Sequence, residues 1–389
     1  MRVRKSTLLW GVGLTLAILT AVGVFVFNPL GLGPEPETVL SQDFFATSAQ
    51  DLSQLEILVD GKEAFDEILD AIDGARSSIF VQIFIWKDDA IGRRIVSGLK
   101  AAADHGVKVM VKKDVLGTFF EFGDMVKGKM SPVFTRAGLR GYENIDVDVD
   151  VFADTDHSKY FIVDECLAIF GGMNISEEYY SQWHDYMVLI RSRQWTTSFK
   201  NVVMKSLPWP NPSPFVVAVN DRRATEIRTA LIQMMDNAKE SLIIEHAYFS
   251  DDKVLDAVRR AAQRGISVDI ILPKAPDTHG CANMATMNRL LDSGPETKPS
   301  VFLYPYMSHA KVVLTDGEIA AVGSANLTPR SMRTSREVTL FVHGSRDDPF
   351  LKKLRQRLHA DIDKSEQVMA PFKLSFTQKV KGVVGKYVW

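Results

Sequence analysis

The sequence predicts an internally duplicated α/β protein preceded by one N-terminal transmembrane helix. His157, Lys159, Asp164, Asn174 and Asp185 are each matched 152 residues later, by His309, Lys311, Asp316, Asn326 and Glu337. A constant offset over five positions marks a repeated unit whose two copies build one site. Around each copy, apolar residues at helical spacing alternate with short β-branched runs, a pattern that lays helices on largely parallel sheets. Ahead of both copies, the run from Leu8 to Phe27 carries no charge and has the length needed to cross a bilayer as a helix.

Arg2, Arg4 and Lys5 precede that run, so residues 1–7 are expected in the cytoplasm, 8–27 as a retained single-pass span, and everything beyond as extracytoplasmic. A cleaved signal peptide competes, but the run is long for one and no Ala-x-Ala site follows. Residues 28–54, rich in Pro, Gly, Ser and acidic side chains, read as a tether between membrane and body.

The first lobe is expected over residues 55–206. Phe65, Ile68, Leu69 and Ile72 mark a helix, and Ile79 to Trp86 a strand apolar enough for burial on both faces. Ile91 to Ala103 reads as a helix closed by Gly106, with Val107 to Val111 as the next strand. Pro208, Pro210, Pro212 and Pro214 interrupt regular structure, so 207–219 is the expected connector. The second lobe, 220–345, repeats the order. Ile227, Leu231, Met234 and Met235 mark a helix and Leu242 to Phe249 a strand, followed by a helix from Val254 to Ala262 ended by Gly265 and a strand from Ile266 to Leu272.

A net charge of −2 argues against a general nucleic-acid coat protein but not against a local basic cleft. Cys166 and Cys281 are the only cysteines, too few for a disulfide framework or a four-thiolate zinc site. Nothing in the sequence places them together, so they are expected as unpaired, buried thiols. Asp146, Asp148 and Asp150 alternate with apolar residues ahead of Asp154, Asp156 and His157. The run reads as a half-buried strand with a solvated acidic face, and a cation site is the sharper alternative.

His157 and Lys159, like His309 and Lys311, stand two residues apart in β-branched surroundings, so imidazole and ammonium project together. Asp316-Gly317 reads as a tight hairpin turn, with Asp164-Glu165 in the equivalent place. Gly171-Gly172-Met173-Asn174 and Gly323-Ser324-Ala325-Asn326 follow, where small residues admit a ligand to the backbone and Asn offers amide donors. Together the halves offer two imidazoles, two ammonium groups and two carboxamides, a set that suits a phosphodiester. Lys159, Lys311, Asn174, Asn326 and Ser324 would bind phosphate oxygens, a role that needs no metal and no cofactor. One neutral histidine would attack phosphorus while the other, protonated, donates to the leaving oxygen. Asp185 and Glu337, each 28 residues beyond the histidine of its own copy, would orient the imidazoles.

These residues resemble the phospholipase D superfamily, marked by a duplicated His-x-Lys-x4-Asp motif followed by Gly-Gly/Ser-x-Asn, over about residues 55 to 345. Asp88-Asp89-x-x-Gly92, the Ala-Ala-x-x-Gly106-Val-x-Val segment and Tyr248-Phe-Ser-Asp-Asp252 belong to the resemblance. It implies two α/β/α lobes related by a pseudo-twofold axis with the site at their junction. It also implies His157 as nucleophile and His309 as general acid, with Asp164 and Asp316 supporting the site. Gly172 stands where the second copy has Ser324, one hydroxyl fewer, a form similar to cardiolipin synthase-like first halves.

The motif leaves the diester open. A phospholipid with an alcohol or water acceptor is the first reading, supported by the span and by the basic C-terminal segment 346–389. There Phe376, Val380, Val383, Val384 and Tyr387 share one helical face, Lys379, Lys381 and Lys386 flank or oppose it, and no acidic residue follows Glu366. A helix packed on the body accounts equally well for that segment. A membrane-anchored nuclease acting on nucleic acid is the alternative, requiring a basic track with exposed aromatics. A non-catalytic scaffold would have no need of both histidines.

Overall fold

The computed structural model describes residues 36, 38–41, 43–45, 52–121, 138–150, 155–211, 213–292 and 298–388. The apolar run 8–27 lies outside them. Among the described residues no helix is long and apolar enough to cross a membrane.

The first lobe runs β1 (Leu55–Val59), α1 (Asp60–Asp73), β2 (Ser78–Ile83), α2 (Ala90–Asp104), β3 (Lys108–Asp114), α3 (Val115–Phe120), β4 (Ile145–Asp150), β5 (Tyr160–Val163), β6 (Leu167–Gly171), α4 (Glu177–Ser181), β7 (Tyr186–Arg191) and α5 (Arg193–Lys205). The second runs β8 (Phe215–Asn220), α6 (Glu226–Asn237), β9 (Ser241–His246), α7 (Asp252–Gln263), β10 (Ser267–Pro273), α8 (Gly280–Leu291), β11 (Ser300–Tyr304), β12 (Lys311–Thr315), β13 (Ile319–Gly323), α9 (Pro329–Arg333), β14 (Glu337–His343) and α10 (Pro349–Lys364). β15 (Glu366–Gln367) and α11 (Phe376–Val388) complete the chain.

Local chemistry repeats as well. The Asp89 carboxylate accepts from Gly92 N at 2.9 Å and the Asp251 carboxylate from Val254 N at 3.1 Å, capping α2 and α7. Both helices stop at a glycine with positive φ, +86° at Gly106 and +83° at Gly265. Ile91, Ile95 and Leu99 of α2, and Val254, Val258 and Ala261 of α7, form the buried stripes that hold them to the sheets.

The sheets have the orders β1-β7-β6-β5-β2-β3-β4 and β15-β11-β10-β9-β12-β13-β14-β8. Read from opposite ends they coincide strand for strand, with β15 added to the second. The expectation of largely parallel sheets needs correction. Only β2-β3-β4 and β9-β10-β11 are parallel, and every other pair is antiparallel. The β5-β6-β7 and β12-β13-β14 meanders follow the helical crossovers and need only tight turns.

The helices α1 and α2 cover the outer face of the first sheet, and α6 and α7 that of the second. The inner faces meet in one core built from Ile162, Phe170 and Val188 on one side and Val312, Val322 and Leu340 on the other. Into this core α5 sets Phe199, and α10 sets Leu354 and Leu358. The α/β/α layering expected of each lobe is therefore reduced on the inner side to these two helices, because the sheets bury much of their apolar surface against each other.

Two boundaries move. The second lobe starts at Phe215, since β8 pairs with β14, and the segment 346–389 contributes α10 to the shared core rather than forming a separate tail. Part of the segment read as a tether is also docked. Phe44 meets Phe341 edge-on at 5.4 Å, and Phe45 O accepts from His343 Nδ1 at 2.6 Å. The connector from Leu207 to Pro214 contains no helix or strand among its described residues, and Trp209 stacks on Trp195.

The motif aspartates shape the hairpins. Asp164 and Glu165 have φ of 52° and 53°, and Asp316 and Gly317 of 55° and 70°, the two positive values a primed turn requires. The Asp164 carboxylate accepts from the backbone N–H of Arg76, Ser77 and Ser78 at 2.8 to 2.9 Å, and Asp316 accepts from Lys239, Glu240 and Ser241 at 2.8 to 3.0 Å. Each aspartate thus ties a hairpin turn to the entry of the neighbouring parallel strand. Burial alone would raise the Asp164 pKa, yet these donors hold it below the usual carboxylate range. Its contribution to stability is therefore complete at neutral pH and is lost as pH falls through the lowered value. Asp164→Ala is expected to cost about 1–3 kcal/mol in urea unfolding at pH 7, and an unchanged midpoint would rule out this role.

Candidate active site

Two short backbone bridges between the lobes place the motif. His157 N donates to Arg336 O at 2.9 Å and Arg336 N to Thr155 O at 2.8 Å. In the matching position His309 N donates to His184 O at 2.7 Å and His184 N to Met307 O at 3.0 Å. Each His-x-Lys segment is thus laid beside the residue that precedes the other lobe's carboxylate.

The imidazoles are accordingly held across the junction. His157 Nδ1 lies 3.0 and 3.1 Å from the two oxygens of Glu337, and His309 Nδ1 lies 2.8 Å from Asp185 Oδ2. The sequence spacing related each carboxylate to the histidine of its own copy, and the structure exchanges the partners. Within a lobe, β6 separates β5 from β7, so a carboxylate at the start of β7 is two strands, about 10 Å, from its own motif. With both Nδ1 atoms occupied, each Nε2 is left for chemistry.

Lys159 and Lys311 are buried beside the histidines, each ammonium donating to the carbonyl oxygen of its own histidine. Lys311 Nζ also lies 2.8 Å from His309 Nδ1. Burial pushes Lys159 down to about 7 and Lys311 to about 8. Burial likewise pushes His157 down to about 4, the two lysines adding to it against the pull of Glu337. His309 is depressed well below its ordinary value by burial and by Lys311. Without an anion between them, both imidazoles are neutral at pH 7. A bound phosphodiester would supply the negative charge that favours the protonated forms.

The two carboxylates differ. Ser324 Oγ donates to Glu337 Oε2 at 2.5 Å and Ser331 Oγ to Oε1 at 2.6 Å. Burial alone would raise the Glu337 pKa, but His157, Lys159 and Ser324 hold it below the ordinary range. Asp185 accepts from Tyr186 N at 2.8 Å, and burial pushes it up to about 6. Ser324, expected among the phosphate-binding groups, instead spends its hydroxyl on Glu337.

The Gly172/Ser324 difference has a steric basis. A Cβ at Gly172 would stand 2.5 Å from both Asp185 oxygens. Aspartate, one methylene shorter than glutamate, carries its carboxylate against the backbone where Ser324 has room beside Glu337. Gly172→Ala is expected to displace Asp185 from His309 and lower kcat about 10²-fold while the protein stays folded. Unchanged turnover would show that the carboxylate has space to yield.

Both histidines open on a cavity of about 320 Å³ that Asn174 and Asn326 also line. Asn174 Oδ1 accepts from Ile85 N at 3.0 Å and its Nδ2 donates to Tyr179 OH at 3.0 Å. Tyr179 OH in turn lies 3.3 Å from His309 Nε2, and Phe84 meets the His157 ring edge-on at 4.9 Å. Sequence reasoning did not single out Phe84, Tyr179, Asp277, His279 or Arg330, all of which line the cavity. Tyr248, noted only within the resemblance, bonds to Asp277 and stacks on His279. Asp277 to His279 follow the C-terminal end of the parallel strand β10, a position where α/β sheets gather ligand-binding groups. That placement was the available signal.

The Asp164 and Asp316 carboxylates lie in the hairpin turns and accept from the backbone N–H groups named above, Asp164 also from Ser77 Oγ at 2.7 Å. Within the acidic run Ile145–Asp150 form a strand with Asp146 and Asp148 exposed, and Asp154 lies outside the described residues. Asp156 stands apart, 3.6 Å from Arg336 Nε and raised to about 6 by burial. Cys166 and Cys281 are unpaired, one in each lobe, and half-buried rather than buried. Among the described residues one group, His184, Glu245 and Asp361, brings ligand atoms within 4.8 Å of one another. Burial alone would depress the His184 pKa, but Glu245, Asp361 and Asp60 hold it well above the ordinary range. The imidazolium and Arg357, whose Nε lies 3.0 Å from Asp361, supply positive charge to this cluster of acids.

A duplicated α/β fold whose halves each supply a histidine and the carboxylate for the other half's histidine defines a phospholipase D-type protein. Residues 68–206 and 231–362 match the family model described as cardiolipin synthase, PLD-like domain, and the chain belongs to that family. It is 28% identical over 354 residues to the major cardiolipin synthase ClsA of Bacillus subtilis (strain 168), covering 80% of this chain and 69% of that protein. It is 26% identical over 344 residues to the cardiolipin synthase of Oceanobacillus iheyensis, covering 81% and 70%. The crystal structure of phosphatidylserine synthase from Haemophilus influenzae Rd KW20 shares the fold, with a TM-score of 0.69 at 14% identity over 89% of this chain and 98% of that one.

Proposed function

We propose that the protein is a phosphatidyltransferase of phospholipids, anchored through residues 8–27 with its body outside the cytoplasm, and that it works through a phosphohistidine on His157. The crossed pair of imidazoles opening on one cavity carries this reading. His157 Nε2 attacks phosphorus, forming a P–N bond as the P–O bond to the leaving alcohol breaks, and the departing oxygen takes a proton from His309 Nε2. The acceptor hydroxyl then gives its proton to His309 as its oxygen attacks phosphorus, which breaks the P–N bond and frees His157. Lys159, Lys311, Asn174 and Asn326 stabilise charge developing on the phosphoryl oxygens. Asp164 and Asp316 act only by holding the hairpins in place.

Glu337 is held ionised while burial raises Asp185 to about 6, and the fixed negative charge beside His157 Nδ1 favours His157 over His309 as nucleophile. Transfer prevails over hydrolysis where a lipid alcohol holds the acceptor place and water is excluded. The family match and the cardiolipin synthase relatives support a phospholipid donor.

Parallel incubations with phosphatidylglycerol, phosphatidylcholine and single-stranded DNA in EDTA, with products separated by mass, test the proposal. Diphosphatidylglycerol supports it, phosphatidic acid alone shifts it to hydrolysis, and shortened oligonucleotide overturns it. A bell-shaped pH profile of kcat/KM is also expected, reporting the coupled cluster. Its acid limb follows loss of the His157 proton, depressed to about 4. Its alkaline limb combines loss of the proton that His309 must donate, which burial and Lys311 make easier to lose, with loss of charge on Lys159 and Lys311, at about 7 and about 8. A flat profile up to pH 9 would remove the lysines from the rate.

A further inference from the structure

The C-terminal helix α11 is packed on the body and also presents an apolar face to solvent. Gly382 is buried, its Cβ direction 3.1 Å from Cys281 O at the start of α8, and Lys386 Nζ bonds to Asp252 at 2.5 Å. On another face of the same helix Phe376 is 81% exposed, Val380 46%, Val383 62% and Val384 51%. At about 100° per residue these four form one stripe, with Lys381 on one flank and Lys379 on the other. Lys373 precedes the helix, and no acidic residue follows Glu366. Four exposed large apolar side chains on one short helix are unusual for a surface that meets only water.

The position of the stripe is informative. The helix α11 lies against α8 and touches α9. The residues just before α8, Asp277 to His279, line the catalytic cavity, and α9 contributes Arg330 and Ser331 to it. The helix that carries the apolar, lysine-flanked face therefore packs beside the elements that border the site.

We propose that α11 is an interfacial docking element. It inserts Phe376, Val380, Val383 and Val384 among the acyl chains of an anionic bilayer and sets Lys373, Lys379 and Lys381 at the headgroups, so that the cavity rim is held at the lipid surface. This rests on the reading of the substrate as a lipid. The stripe supplies burial and the lysines supply attraction to anionic lipid, the combination by which an amphipathic helix lies in an interface. A docked rim shortens the distance a lipid must rise from the bilayer to reach His157.

The test uses the full chain with Cys166→Ala and Cys281→Ala, labelled with a polarity-sensitive fluorophore at Val384→Cys or, as control, at exposed Lys62→Cys. The protein is mixed with vesicles of phosphatidylcholine alone or with added phosphatidylglycerol, each carrying brominated acyl chains. Strong quenching at position 384 with phosphatidylglycerol, weakened by salt and absent at position 62, is the expected result. An unquenched label at 384, or energy transfer between labelled copies without lipid, overturns the proposal, the latter by making a second chain the occupant. Changing Val380, Val383 and Val384 together to Glu should lower turnover of vesicular phosphatidylglycerol about tenfold or more while leaving dispersed short-chain phosphatidylglycerol turned over as before. Equal loss on both substrates also counts against docking. Quenching needs no turnover, so failure of the lipid activity and failure of the docking helix are read separately.

Discussion

His157→Asn is expected to abolish turnover, by about 10⁴-fold or more, and to remove covalent phosphoryl labelling altogether. Asparagine keeps a polar group of similar reach but has no basic nitrogen to attack phosphorus. The native imidazole is suited to attack because burial keeps it neutral, pushed down to about 4, while Glu337 holds Nδ1 at 3.0 Å. Quenched-flow labelling with phosphatidylglycerol carrying a labelled phosphate decides the matter. Acid-labile, base-stable label on the wild type and none on His157→Asn is the predicted pair of results. Persistent phosphohistidine in the variant would move the nucleophile to His309. Glu337→Gln separates attack from orientation, because it keeps the imidazole but removes the negative charge behind it, and it should slow labelling without preventing it.

His309→Ala should behave differently, losing about 10²–10⁴ in kcat while still accumulating labelled His157. Without an acid, an alkoxide leaves slowly, and without a base the acceptor hydroxyl attacks slowly. A nitrophenyl phosphodiester needs no proton on its leaving group, so it should restore the labelling step and leave release slow. A burst of nitrophenol followed by a slow steady state is the expected trace. Rescue of both steps together would mean that His309 only shapes the cavity. Asp185→Asn should reproduce a weaker form of the same defect, since the carboxylate bonded to His309 Nδ1 at 2.8 Å comes from the first lobe.

Much of this was legible in the chain because it is local. The helical stripes, the glycine stops, the hairpin turns at Asp164 and Asp316 and the constant offset of the motif depend on neighbours within a few residues or on simple repetition. The exchange of partners between Asp185 and Glu337 depends on strand order, which a repeat does not reveal. The mixed sheets escaped for a similar reason, since strands alternating with helices in the first part of each copy look the same whether or not an antiparallel meander follows. Ser324 was assigned to phosphate from its place in the motif, yet its hydroxyl is closer to the carboxylate of its own lobe. For residues 376–387 the sequence pattern alone offers a packed helix and an interfacial one as alternatives, because it does not show which face meets the body. The observed helix packs through Gly382 and keeps Val380, Val383 and Val384 outside.

The backbone bridges from His157 to Arg336 and from His309 to His184 have a consequence for how the chain would tolerate a break. Each half lacks the acid that tunes its own histidine and borrows it from the other. If a protease site were placed in the connector between Leu207 and Pro214 and cut after folding, the shared core and the bridges would keep the fragments together and activity would persist. Dilution or mild denaturant would then silence both fragments at once, and remixing would restore them with second-order kinetics. The connector thus acts chiefly as a concentration device, keeping two interdependent halves from ever having to search for each other.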